Sequence, residues 1–309
     1  MSNLRAVLLL LLAAAALPTP AVADERFAVI VSGVSGSEKF AQAQKGWVSS
    51  LESTLRKGFG FPADRVTVLS ESGTLTTSPT RENVIRTLGE LKPRLTADDT
   101  LLVVLIGHGT FDGTVAKFNL VGPDMESKEW KAALDGNPAR LVFVNTTSSS
   151  FQFVPALAGK NRIIIAATDS AAQKYATMFP QYFIDALDQV AHADNDKNGR
   201  LSVWEAFTYA GQAVKQAFDK AGTLVTERSI IDDGSNGVLA KTTFLDPPPA
   251  ATSANAALAG LEKRRITIET DIEQLKGRKG QMPAGQYEEE FERLAIELAR
   301  ISAQIRSAR

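Results

Sequence analysis

The chain has 309 residues, 44% of them hydrophobic, with 34 Lys and Arg against 35 Asp and Glu for a formal net charge of −1. That apolar content is enough for a buried core and argues against wholesale disorder, while the length allows one large domain or two ordinary ones. The near-neutral balance excludes a strongly electrostatic nucleic-acid binder, and the absence of cysteine removes disulfides, thiolate metal sites and a cysteine nucleophile.

The N-terminus carries Arg5 and then the apolar run Ala6–Leu17, after which Pro18 and Pro20 break any helix and Ala21-Val22-Ala23 offers a small-x-small cleavage site. A membrane span needs about 20 apolar residues, so this run predicts a signal peptide over 1–23, cut after Ala23, and a periplasmic or secreted protein. An uncleaved N-terminal anchor is the alternative. No later stretch is long and apolar enough to span a bilayer.

From Arg26 onward, apolar runs alternate with helical periods. Phe27–Val31 reads as a buried strand, followed by a helix over 37–55 and a second strand at Val66–Leu69. A helix from Thr80 to Leu95 carries Val84, Leu88 and Leu91 on one face, and Leu101–Ile106, Leu141–Val144 and Ile163–Ala166 supply three more strands. Strands apolar on both faces and separated by helices predict an α/β three-layer sandwich around a mostly parallel sheet, over 24–245. In such folds the working surface lies at the carboxyl ends of the strands.

Between the last of these strands and the end of the domain, the spacing predicts helices over Tyr182–Ala191 and Trp204–Ala221. The segment joining them, Asp194 to Glu205, follows the twelve-residue EF-hand pattern. Asp194, Asp196 and Asn198 offer side-chain oxygens from alternate positions, and Gly199 permits the sharp turn. Arg200 supplies its backbone carbonyl, Ser202 a hydroxyl, and Glu205 a bidentate carboxylate. The alternative is a polar turn that never sees metal. A single loop of this kind predicts Ca²⁺ binding with a Kd of order 10⁻⁵–10⁻³ M, suited to a structural ion. The acidic stretch Asp232–Gly237 reads as a hairpin-like turn.

The Pro/Ala-rich stretch 246–256 predicts a linker. Beyond it, Leu258, Leu261, Arg265, Ile268, Ile272 and Leu275 repeat at threes and fours, and Tyr287, Phe291, Leu294, Leu298, Ile301 and Ile305 do so again after the break at 277–285. Two such stripes predict an antiparallel helical hairpin over 257–309, which must pack on itself, on the main domain or on a second copy of the chain.

Two strand ends carry chemistry. Leu105-Ile106-Gly107-His108-Gly109 places a histidine between glycines, where Gly109 N–H is positioned to serve an oxyanion, and Val144-Asn145 runs into Thr146-Thr147-Ser148-Ser149-Ser150. Gly33-Val34-Ser35-Gly36 after the first strand lacks the spacing of a phosphate motif and reads as a turn, and His192 has no evident role.

With Leu105–Gly113, Lys117–Asp124, Val142–Ser150, Arg162–Thr168 and Glu205-Ala206-Phe207, the chain resembles the caspase/legumain-type cysteine peptidases of the caspase-haemoglobinase fold, closest to exported bacterial members. The resemblance implies that His108 stands where the family has its general base and Thr147 where it has its cysteine. With no thiol present, it implies a catalytically inactive relative, a calcium-binding envelope protein that holds a peptide or protein partner or serves as a scaffold. The competing expectation is a hydrolase in which Thr147 or one of Ser148–Ser150 attacks with His108 as base.

Overall fold

A computed structural model of the chain describes residues 25–173, 175–246 and 256–308. The expected signal peptide and nearly all of the expected linker lie outside them. Chain order begins with strand β1 (Arg26–Ser32), helix α1 (Glu38–Ser53), β2 (Val66–Leu69), α2 (Arg81–Leu91) and β3 (Thr100–Ile106). Three short strands follow, β4 (Gly109–Phe111), β5 (Ala116–Phe118) and β6 (Met125–Glu126), then α3 (Ser127–Leu134), β7 (Arg140–Asn145), α4 (Phe153–Leu157) and β8 (Arg162–Ala166). Next come α5 (Phe179–Asp188), α6 (Val190–Ala193), α7 (Val203–Ala221), β9 (Ile230–Asp232) and α8 (Val238–Lys241). Helices α9 (Ala256–Gly277) and α10 (Ala284–Ala308) end the chain.

The main sheet has the order β2-β1-β3-β7-β8-β9; its first five strands are parallel and β9 closes one edge antiparallel. Alternation explains why these strands are apolar throughout. Ala28, Ile30, Leu102, Val104, Val142 and Val144 point to one face, against Val48 and Leu51 of α1, Phe183 and Leu187 of α5, and Ala206 and Val214 of α7. Phe27, Val29, Leu101, Val103, Leu141 and Phe143 point to the other, against Leu88 of α2, Trp130 of α3 and Leu157 of α4. Successive side chains of a strand face opposite ways, so a strand covered on both sides must be apolar at every position. The expected α/β architecture with a mostly parallel sheet is present, in an arrangement compatible with three layers.

Helix ends follow local chemistry. Ser37 and Thr80 cap α1 and α2 by accepting the Phe40 and Asn83 N–H groups. Helix α2 stops at Leu91, short of the expected Leu95, and a 3₁₀ turn takes over at Lys92–Arg94. Pro93 has no N–H to continue the α ladder. The helix expected from Tyr182 begins earlier, at Phe179 with Pro180 in its first turn, and breaks at Gln189 before α6. The antiparallel sheet β4-β5-β6 was not expected, since strands of two or three residues show no readable period. Asp232–Gly237 is an acidic turn but not a hairpin, because it leads from β9 into α8. There the Asp233 carboxylate accepts the N–H groups of Ser235, Gly237 and Ala240. Burial alone would raise the Asp233 carboxyl, but these donors together hold it below its usual value.

Helices α9 and α10 form the antiparallel pair read from their stripes, closing on Ile268, Ile272, Leu275, Leu294, Ile301 and Ile305. Arg264 of α9 and Glu297 of α10 pair across it at 2.7 Å. The hairpin also packs on the main domain: Lys241 of α8 meets Glu273 at 3.3 Å, and Gly277 lies so close to Val238 that a Cβ there would come within 2.5 Å.

Candidate functional site

Asp194 to Glu205 joins α6 to α7, and its backbone is turned by its own side chains. Asp194 Oδ1 and Oδ2 accept from Asn198 N and Gly199 N at 3.2 and 2.9 Å, Asp196 Oδ1 accepts from Asn198 N at 3.0 Å, and Asn198 Oδ1 accepts from Arg200 N at 2.8 Å. Gly199 sits at φ 82°, which a Cβ would oppose. Ser202 and Glu205 form a capping box that starts α7, with Ser202 Oγ donating to Glu205 Oε2 at 2.7 Å.

The winding brings Asp194, Asp196 and Glu205 together, with ligand oxygens of all three within 4.8 Å of one another. Asp194 and Glu205 are buried, and Asp196 lies at the exposed lip. At an effective dielectric of about 20, two ionised carboxylates at such a separation repel by about 3 kcal/mol. The Asp196 carboxyl is accordingly pushed up to about 6, by loss of solvation first and by the charge of Glu205 second. A cluster of this kind could hold a metal ion, which would replace mutual repulsion with attraction.

Arg200 does not oppose that charge. Its guanidinium turns away, to Asp246 Oδ2 at 3.3 Å and over the Phe244 ring at 4.0 Å. Burial raises the Asp246 carboxyl, with Arg200 acting the other way. The loop also meets α9, where Arg265 Nη2 donates to the Asn198 carbonyl at 3.1 Å. Glu269, one turn on, is raised mainly by burial, against the pull of Arg265. Arg265 is the one charged member of an otherwise apolar stripe, and that irregularity was the visible sign of its contact. Asp246 gave no comparable sign.

The second candidate lies where β3 and β7 end. His108 follows β3; its Nε2 meets the Ser35 carbonyl at 3.1 Å and its ring stands edge-on to Phe40 with centroids 4.7 Å apart. Thr147 is 1% exposed, and its hydroxyl is bonded to Asn145 Oδ1 at 2.8 Å and to the Ser148 carbonyl at 2.9 Å. Thr147 N also donates to Asn145 Oδ1, which fixes the carboxamide and leaves Asn145 Nδ2 buried without a partner among the described residues. Ser148 to Ser150 are buried as well; Ser148 Oγ donates to the Gly109 carbonyl, and Ser150 Oγ bonds Thr168.

Gly109 ties the two turns together. A Cβ on it would come within 2.3 Å of the Ser148 carbonyl and 2.6 Å of Thr147 Oγ1. The strand ends therefore adjoin, as expected, yet no hydrogen bond links His108 to Thr147 among the described residues. Proton transfer from a nucleophile needs its base within about 2.6–3.2 Å. Asn145, Ser35 and Phe40, which hold these groups, were not singled out from the sequence.

No protein-family model matches the chain, and no curated protein matches it either. Among the described residues no helix is long and apolar enough to cross a membrane.

Proposed function

We propose that the chain is a catalytically inactive, calcium-stabilised relative of the caspase/legumain-type peptidases, exported to the cell envelope as a module that holds a peptide or protein partner. One observation carries the reading. At the position where the resemblance has a nucleophilic sulfur, the Thr147 hydroxyl is buried and committed to Asn145 and Ser148. A hydroxyl needs strong base assistance to attack a carbonyl, and His108 faces Ser35 and Phe40 instead.

The ion assigned to Asp194, Asp196 and Glu205 is Ca²⁺, with Asn198, the Arg200 carbonyl and Ser202 completing the loop's donors. The donors are all oxygen, which suits a hard cation, and a single flexible loop tolerates the irregular sphere of calcium better than the strict octahedron of magnesium. Bound there, the ion would supply charge neutralisation and rigidity rather than chemistry. The hairpin is the second arm of the module, and joins copies through faces that the main domain leaves free.

The mature chain Asp24–Arg309, incubated with a peptide library and a hydroxyl-reactive phosphonate with and without Ca²⁺, tests the proposal. Neither cleavage nor labelling is expected. Labelling abolished by both His108→Ala and Thr147→Ala would establish the competing hydrolase instead.

A further inference from the structure

At the carboxyl ends of β1 and β2, between α1 and the turn Ser70–Ser72, lies a cavity of about 310 Å³ that the proposed function leaves unused. Ligand pockets begin at roughly this size, and in parallel α/β sheets they gather beyond the strands' carboxyl ends. Ala41, Val48 and Val68 give it an apolar floor. Its inner wall is Ser32 and Gln44, which are 5% and 4% exposed. Ser32 Oγ donates to Gln44 Oε1 at 3.2 Å, which spends the acceptor end of the carboxamide and leaves Nε2 with no partner among the described residues. The Nε2 group is not closed off from solvent, so its donors stand open to an acceptor that enters the cavity.

The charges on the lining residues are of both signs. Lys45 stands on α1 and makes no ion pair among the described residues, while Glu71 accepts the Ser35 N–H on Oε2 at 3.0 Å and keeps Oε1. Lys45 with Gln44 Nε2 gives a cation beside open donors, and Glu71 gives an anion, while the other carboxylate of the lining, Glu52, is already paired with Arg56 at 2.9 Å. One small molecule satisfies all three groups if it carries a carboxylate and an ammonium on a short frame.

We propose that this cavity is a binding site for small zwitterions, an α-amino acid or a dipeptide, with the carboxylate held by Gln44 Nε2 and Lys45 and the ammonium by Glu71. A neutral sugar would leave both charges unmatched. The site uses neither the cation loop nor the hydroxyl turn, so it stands or falls apart from the proposed function.

Isothermal titration of the mature chain Asp24–Arg309 with L-serine, L-glutamate and glycylglycine tests the assignment, with N-acetylglycine, glycinamide and glucose as controls. Saturable binding is expected for at least one of the first three, weakened at least about tenfold by capping either end of the ligand. Lys45→Ala, a change at an exposed position, should weaken it about tenfold as well, and Gln44→Leu by more. If Gln44→Leu fails to fold, Lys45→Ala alone carries the comparison. No saturable binding up to about 10 mM, binding unchanged in the folded variants, or binding of glucose alone would overturn the proposal.

Discussion

Glu205→Ala removes one of three carboxylates whose oxygens lie within 4.8 Å, and with it the residue that closes the loop's coordination. For a site with a Kd of order 10⁻⁴ M, about 2 mM Ca²⁺ stabilises the native chain by about 2 kcal/mol. In a domain of this size that raises the melting temperature by about 4 °C over a chelated sample. The substitution also acts without any ion. It removes the capping box with Ser202 and the acceptor for Asn195 N, at a cost of about 1 kcal/mol, yet it relieves carboxylate repulsion of about 3 kcal/mol per pair. The absolute melting temperature is therefore a poor guide, and the calcium-dependent increment is the quantity to measure. Calorimetric scans of wild type and Glu205→Ala, each in chelator, Ca²⁺ and Mg²⁺, should show the increment with Ca²⁺ in wild type and not in the variant. An equal increment in both proteins, or none in wild type, would refute the reasoning from this cluster.

Glu227 gives a pH dependence of its own. It accepts the N–H groups of Met178 and Phe179 at the start of α5, and burial pushes its carboxyl from 4.5 to about 7. The folded chain then holds a proton that the unfolded chain has released, so stability should fall as pH rises from about 4.5 to about 7, by about 3 kcal/mol in total. Denaturant melts of Glu227→Gln should be flatter across that window. Thr147→Val should lower stability by about 1 kcal/mol through its lost hydroxyl bonds, and in a peptidase assay should match wild type. Gly109→Ala forces a Cβ against Ser148 and Thr147, and should cost about 1–3 kcal/mol in the same denaturant melts. Arg265→Ala breaks the contact between α9 and the loop, so limited proteolysis should cut the hairpin sooner, while deletion of 257–309 should reduce the number of chains per particle measured by light scattering, and an unchanged number would refute the joining of copies through the hairpin.

The reading of the chain as α/β came from strands such as Leu101–Ile106 and Leu141–Val144, where apolar residues at every position leave no face for water. Local patterns of that kind, like the 3-4 stripes of the hairpin and the alternating oxygens of Asp194, Asp196 and Asn198, are written in consecutive residues, because the backbone period that produces them is short-range. The tertiary structure decided what depends on distant residues meeting. Sequence spacing could not show that Asp246 draws Arg200 away from the acidic cluster, or that Arg265 reaches the same loop from a helix 67 positions further along the chain. Nor could it show that the Thr147 hydroxyl faces Asn145 while His108, on the adjoining strand end, faces Ser35. The residue types at a strand end follow from the chain alone; the partner each side chain takes is a contest among groups that only packing brings within reach.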